Sequence, residues 1–600
     1  MLQAVAHRGP DGNGTRLCSH AALGHCRLAI IDLAGGVQPM TSADRQTSIV
    51  FNGEIYNYKE LRERLVVRGA VFVTESDTEV LLHLYRDEGQ QGFSRLRGMY
   101  AFSLWDEKNK TGLLVRDPLG IKPLFYAETG DRQVYFASEA KALVIPGLLT
   151  PSLDPTSLHL LMNFRYLPGD RTLFHGVRQL APGQILEWTA GKTKTHLITP
   201  LYHQRTDGDL IDALRDSVHH HLVSDVEVGC YLSGGIDSAT ITYLANLESR
   251  NPPRTFTLDL GDDPSEARHA ARSAALLGNS NYLGARTDAV GIHLPKLIWH
   301  LEVPKINALQ VYLLARHARQ HVKVALSGLG GDELFLGYNA HRIMHLGASA
   351  SRWTPTLISR ALGGSASRIA KWSSPYAWSE TERSFDMLGA LGNWPRYYGI
   401  LRNIWDSPDL RKQIYGPRLL DEPLPNAHEV LEEMWPANPD PVMAMAEFEW
   451  KNKMVNDLLW QEDRASMAVG LEVRVPLVDL HLAHHIQALD RNTLMPRGRP
   501  KGYLRENLRQ HLPSEILNRP KSGFQVNSAE FFHQHLAKWN DTLLSTSHIL
   551  DTGLFNPVFI KTVQQYPIAR STRWHYFMLY LILGTHLWSE IFEERKWPTA

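Results

Sequence analysis

Leu232-Ser233-Gly234-Gly235-Ile236-Asp237-Ser238 is the stretch on which the fold of this 600-residue chain turns. It closes a run of strand character (226–232) and opens a helical one (238–245). Two glycines at such a junction let the backbone approach an anion closely, because no Cβ intervenes. The helix that follows aims free N–H groups and the positive end of its dipole at the same point. Ser233 and Ser238 add hydroxyl donors. Asp237 would repel a bare phosphate, but it fits if it holds Mg²⁺ that in turn holds phosphates. The spacing is not that of a G-x-x-x-x-G-K-[ST] loop. On spacing alone, a turn that merely caps a helix explains the heptapeptide equally well.

A second turn shifts that balance. Ser327-Gly328-Leu329-Gly330-Gly331-Asp332-Glu333 also follows a strand-like run (322–326) and again ends in acid at a helix start. Asp237 and Asp332 could clamp one Mg²⁺–pyrophosphate from two strands. Around the two turns, strands (226–232, 254–260, 322–326) alternate with helices (210–222, 238–245, 266–277, 311–319). This grammar predicts a parallel, doubly wound sheet, whose ligands bind beyond the carboxyl ends of its strands. Beyond about residue 420 the pattern is mostly helical. The first third reads differently. Short β-branched runs (28–31, 48–51, 71–73) and a hairpin pattern (98–105 and 112–116 about a 106–111 turn) predict a sheet-rich domain with helices at 61–67 and 78–84 outside it. The polar stretch 190–209 is the linker candidate.

Composition bounds the function. Lysine plus arginine and aspartate plus glutamate number 63 each, so charge gives no argument for nucleic acid or an anionic membrane as partner. The three cysteines make no metal signature, and a reducing, cytoplasmic setting is expected. No secretory leader is visible. The apolar run 576–583 is far shorter than the roughly 20 residues that span a bilayer and reads as a buried core helix. His219-His220-His221 point in different directions on a helix, so a solvated helix end is expected rather than a zinc site.

Several segments together resemble the glutamine-hydrolysing asparagine synthetase family. Leu232 to Ser238 looks like its pyrophosphatase-type ATP loop, and 326–338 resembles its second loop. Asp463-Arg464 with Ser466-Met467, Leu471-Glu472-Val473-Arg474-Val475-Pro476, and Asn518-Arg519-Pro520-Lys521-Ser522-Gly523-Phe524 resemble further signatures. Upstream, His7-Arg8-Gly9-Pro10-Asp11, Arg27-Leu28-Ala29-Ile30-Ile31-Asp32 and Phe51-Asn52-Gly53-Glu54-Ile55-Tyr56-Asn57 resemble its glutaminase half. The resemblance implies an α+β N-terminal-nucleophile glutaminase sandwich (1–200) followed by an α/β pyrophosphatase-type ATP-binding domain with a parallel sheet (201–600). It implies ATP and Mg²⁺ as cofactors, aspartate or another carboxylate as acyl substrate, and glutamine or ammonia as nitrogen donor. A homodimer is compatible with it.

Carried over residue by residue, Leu232, Ser233, Gly234, Gly235, Asp237, Ser238, Leu258, Ser327 and Gly328 bind ATP, and Asp237 and Asp332 hold the metal. Lys521 stabilises the departing pyrophosphate. Arg27 and Asp77 bind glutamine's carboxylate and amine, and Asn52 and Gly53 form an oxyanion hole with Glu54 beside it. Glu472 and Arg474 read equally well as a structural ion pair and stay outside the catalytic set. Intact Asp237, Asp332 and Lys521 argue against a non-catalytic nucleotide-binding scaffold.

The sequence departs from the family pattern twice. The chain opens Met1-Leu2-Gln3, without the leading cysteine whose thiolate attacks glutamine in such domains. Cys18 and Cys26 cannot replace it, since neither can become the chain terminus with His7 retained. Either the natural protein is longer at its front, which the retained pocket favours, or this half uses free ammonia or another amine. Second, Leu329 stands where many members have an acid suited to assisting the incoming amine. Glu333 and Glu302 are the candidates to replace it; otherwise the substrate is another carboxylate, as in a surface-sugar amidotransferase or a lactam-forming enzyme.

Overall fold

The computed structural model describes all residues except 202–208, 260–263, 287–292, 354–355, 374–375, 520–528 and 599–600. Strands β1 (Gly12–Leu17) and β2 (Ala22–Arg27) form an antiparallel hairpin. After them come β3 (Met40–Thr41), β4 (Thr47–Ile55), β5 (Gly98–Asp106) and β6 (Thr111–Arg116). A small sheet holds β7 (Phe125–Glu128), β8 (Val134–Ala137) and β9 (Arg178–Gln179) in the order β8-β7-β9. The hairpin of β10 (Gln184–Thr189) and β11 (Lys192–Leu197) then completes a six-stranded antiparallel sheet, β11-β10-β6-β5-β4-β3.

Side-chain alternation decides what each face of that sheet covers. Ile49, Phe51, Tyr100, Phe102, Leu104, Leu113, Val115 and Ile185 share a core with Leu61, Leu65, Val80, Leu81 and Leu84 of the helices Tyr58–Val67 and Asp77–Glu88. The residues of opposite parity face away from these helices. Val50 and Trp105 pack with Leu23 of β2 and Phe136 of β8, and Ala101, Leu114 and Leu186 pack with Tyr126, Val134 and Phe136. The two small sheets therefore form the opposing layer of the expected sandwich.

Three local expectations are corrected. Residues 28–31 and 71–73 are not strands. Val71 and Val73 are exposed, and the Val73 N–H donates to the Glu79 carboxylate rather than to a neighbouring strand. Within the supposed linker, six residues form strand β11, whose Lys-Thr-Lys-Thr alternation is that of a charged edge strand; its stretch 202–208 lies outside the described residues.

The second half is built on a fully parallel sheet of β12 (Val228–Tyr231), β13 (Thr255–Asp259), β14 (Tyr282–Arg286), β15 (Val324–Leu326) and β16 (Glu472–Arg474), in the order β14-β13-β12-β15-β16. Both glycine turns leave its carboxyl edge, after β12 and after β15. The helix Arg573–Phe592, which contains the apolar run 576–583, is buried in the largest core. Among the described residues no helix is long and apolar enough to cross a membrane. The three histidines do diverge, but His221 is not solvated: it is buried against the Tyr56 ring, 4.2 Å away, while His219 faces Glu248 and His220 faces Asp216.

Buried ion pairs join the halves. Arg8 reaches Asp463 at 2.8 Å and Glu139 at 3.2 Å, and Arg97 reaches Asp479 at 2.9 Å. Lys122 lies 3.6 Å from both Asp463 and Glu472. The buried Glu462, on the helix Trp460–Met467 that bears Asp463, belongs to no such pair among the described residues. Burial, with the Asp463 carboxylate beside it, pushes its pKa up to about 7 from an ordinary value of 4.5. A carboxyl whose folded pKa is raised costs stability progressively as pH rises from its unfolded value to its folded one. Glu462→Gln never titrates. It should gain about 3 kcal/mol on wild type between roughly pH 4 and pH 8, read from urea melts at both; a gap independent of pH would refute it.

Candidate functional site

At the first turn the helix Ile236–Glu248 starts at Gly235 with no side-chain cap, so its leading N–H groups face outward. The two serines close the loop on itself. Ser238 Oγ accepts from the Ser233 N–H at 3.0 Å and lies 2.9 Å from Ser233 Oγ, which accepts from the Gly235 N–H at 3.2 Å. Leu232 directly follows β12 and donates its N–H to the Phe256 carbonyl at 3.0 Å, and Leu258 lies near the carboxyl end of the adjacent β13. Arg519 donates to the Gly234 carbonyl at 2.8 Å and the His269 carbonyl at 3.2 Å. It thereby anchors the start of the signature containing Lys521; Lys521 itself lies outside the described residues.

The second turn touches the first. Ser327 donates its N–H to the Arg474 carbonyl at 2.8 Å, and its Oγ accepts from the Leu329 N–H at 3.3 Å. A Cβ on Gly328 would stand 2.7 Å from the Ser238 nitrogen, so only glycine lets the loops meet. Asp237 and Asp332 converge on one cation: the Lys501 ammonium pairs with Asp237 and lies 2.7 Å from Asp332 Oδ1. Lys501 is buried. Burial alone would lower its pKa, but the two carboxylates outweigh it and hold the ammonium charged. Two hard carboxylates that already share one cation, at the rim of an anion-binding turn, suit Mg²⁺ bound jointly with phosphates.

Glu333, next to Asp332, is buried and occupied: the Tyr338 hydroxyl donates to it, and Lys453 lies 3.3 Å away. Burial, then the Glu333 charge, raises the Tyr338 pKa well above its ordinary value, so this donor stays protonated. Leu329 packs against the apolar core of this half. Glu302 is elsewhere. It accepts the N–H groups of Ala140 and Lys141 at 3.1 and 2.7 Å and lies 3.3 Å from Arg464, a structural place at the junction of the halves.

In the first half, Arg27, Asn52, Gly53, Glu54 and Asp77 all line one cavity of about 770 Å³, which runs over the sheet face opposite the helices, between β2 and β8. Asn52 Nδ2 has no hydrogen-bond partner among the described residues. Gly53 sits at φ +138°, where a Cβ would stand 2.0 Å from the Met99 carbonyl oxygen. The Arg27 guanidinium is spent largely on the loop beside it, donating to the carbonyls of Leu33 at 3.0 Å and Asp32 at 2.7 Å. Asp77 is buried at a helix start and accepts from the Ile55 N–H at 3.0 Å; burial pushes its pKa up to about 6. Burial also raises Glu54, against the Arg474 guanidinium 3.4 Å away.

The "Asparagine synthase" family profile matches residues 209–590, and the "Glutamine amidotransferase domain" profile matches residues 1–199. The chain is 34% identical to asparagine synthetase [glutamine-hydrolyzing] 1 of Bacillus subtilis (strain 168), covering 91% of this chain and 86% of that protein. The chain belongs to the asparagine synthetase family. It is also 28% identical to asparagine synthetase [glutamine-hydrolyzing] 3 of the same organism, over 91% of this chain and 86% of that one. Amidase chyE of Penicillium rubens is 29% identical over 87% of this chain and 83% of its own length.

An asparagine synthetase family chain thus carries both halves in the expected order, a glutamine amidotransferase domain and then the synthase domain on its parallel sheet. Arg474 and Glu472 are indeed an ion pair, at 2.9 Å, extended by Glu54 across the junction. Burial pushes the Cys26 thiol up, the opposite direction from that which favours a thiolate. Sequence reasoning missed Lys501, Lys453 and Tyr338. In sequence Lys501 is one cation in the basic, glycine- and proline-rich run Arg497 to Gly502, which looks like a solvated loop.

Proposed function

We propose that the chain is an AMP-forming amide ligase that adenylates the side-chain carboxylate of aspartate and transfers the acyl group to ammonia. The observation that carries this reading is the meeting of Asp237 and Asp332 on one cation between two glycine turns at the carboxyl edge of the sheet. Ser233, Gly234, Gly235 and Ser238 surround the triphosphate with backbone and hydroxyl donors. Leu232, Leu258, Ser327 and Gly328 complete its contacts. Asp237 and Asp332 hold Mg²⁺, which when bound neutralises phosphate charge. The acyl carboxylate attacks the α-phosphorus, the bond to the β-phosphate oxygen breaks, and pyrophosphate leaves, stabilised by Lys521 and by Lys501 once its ammonium is released from the carboxylates. Ammonia then attacks the acyl carbon and AMP departs with the carboxyl oxygen.

Glu333 is proposed to receive the ammonia proton in place of the acid that Leu329 lacks. Its bonds to Tyr338 and Lys453 fix its orientation. Because Leu329 supplies no acid, the second reading is a related ligase for a different carboxylate. In the first half, Arg27 and Asp77 are proposed to hold glutamine, with the unpartnered Asn52 amide and the Gly53 N–H as the oxyanion hole beside Glu54.

The 600-residue polypeptide incubated with ATP, Mg²⁺, aspartate and ammonium should yield AMP and asparagine in equal amounts; ADP instead of AMP would overturn the mechanism.

A further inference from the structure

The two acids at the glycine turns already carry a cation of this chain's own, and the adenylation scheme gives it no task before ATP arrives. The Lys501 ammonium pairs with Asp237 and lies 2.7 Å from Asp332 Oδ1, and the residue is only 5% exposed. The chain around it is shaped to keep it there. Lys501 directly precedes the helix Gly502–Asn507 at φ +54°, in the left-handed region that a lysine occupies only under strain. Arg497 and Gly498, at φ +55° and +72°, bend the approach to it. A Cβ on Gly337 would stand 2.2 Å from both Lys501 Cε and Asp332 Oδ1, so the lysine stem crosses bare backbone. A Cβ on Gly331 would stand 2.5 Å from the Asp237 carboxylate, which lies as closely against the second turn.

Charge decides what can take this ammonium's place. A divalent cation entering alone would either crowd against Lys501 between the two carboxylates, or push it off both with no anion to receive it. A buried charge left without its partner is strongly unfavourable. A triphosphate supplies the missing anion. Lys501 can then exchange its carboxylates for phosphate oxygens, which accept strong charge-assisted hydrogen bonds. The two acids are thereby freed for a metal at the moment the nucleotide is present to share it.

We infer that Lys501 is a resident counter-ion that closes the Asp237–Asp332 site to free divalent metal and yields it to metal accompanied by nucleotide. This rests on the proposed assignment of Mg²⁺ to these two acids, and adds the order in which the site fills. Mn²⁺ without nucleotide, its binding read by electron paramagnetic resonance, is the probe. Lys501→Met should bind Mn²⁺ about tenfold or more tightly than wild type, and Mn²⁺ alone should raise the melting temperature of the variant but not of wild type. Lys501→Gly removes the same charge and suits the left-handed backbone, so it carries the test if the Met variant melts early. Lys501→Arg, which keeps a cation, should bind Mn²⁺ alone as weakly as wild type. Mn²⁺ affinity within about twofold of wild type in both neutral variants overturns the inference alone. Mn²⁺ with α,β-methylene-ATP, which cannot transfer its adenylyl group, should raise the melting temperature of wild type. If it raises that of neither wild type nor the variants, the metal assignment falls, and this inference with it.

Discussion

Asp237→Ala should abolish ATP–pyrophosphate exchange, by on the order of 10³-fold or more, while the protein melts as wild type does. Asp332→Ala should do the same. The activity loss follows from the convergence of the two carboxylates: one alone leaves the metal tethered from a single side, and the triphosphate is no longer held between the two turns. The unchanged fold follows from Lys501. Its buried ammonium touches both acids, so either single variant leaves it a partner. The double variant strips both and leaves a buried cation uncompensated, which should cost about 3–5 kcal/mol. Circular-dichroism melts of the three variants read this difference. Exchange at wild-type rate in Asp237→Ala would remove the metal assignment, and a double variant as stable as the singles would remove the role given to Lys501.

Much of this arrangement was legible because its physics is local. A strand, a glycine bend and a helix start are adjacent in sequence, so the turns at Gly234 and Gly328, and the acids that tip them, could be read from spacing. The parallel sheet followed from alternation, although β14 (Tyr-Leu-Gly-Ala-Arg) and β16 (Glu-Val-Arg) lack the apolar run that marked the other strands. What could not be read depended on tertiary partners. Lys501 comes from 264 residues beyond Asp237, and nothing near it in sequence marks it as buried. Residues 71–73 have strand composition, but the carboxylate of Glu79, six residues further on, takes the Val73 N–H, and among the described residues no strand pairs with it. Glu302 was a reasonable acid on composition, and only its backbone donors at Ala140 and Lys141 reveal a structural task.

Arg474 presents the opposite case, a residue in a family signature whose largest effect should be on the fold. Its side chain is fully buried, pairs with Glu472 at 2.9 Å and Glu54 at 3.4 Å, and donates to the carbonyls of His221 at 2.9 Å and Val223 at 2.7 Å. Arg474→Met keeps the volume but leaves one carboxylate in the cavity of the first half, another in the parallel sheet, and two carbonyls without their donor. The expected loss is about 3–5 kcal/mol, or roughly 3 °C in Tm for a cooperative unit of this length. Burial already raises the Glu54 pKa and Arg474 holds it back, so without the guanidinium that carboxyl rises further. A raised carboxyl costs stability as pH climbs toward its folded pKa; the deficit of the variant should therefore be smaller at pH about 5 than at pH about 8. Equal deficits at both pH values would mean that lost packing, rather than a stranded charge, is what the arginine prevents.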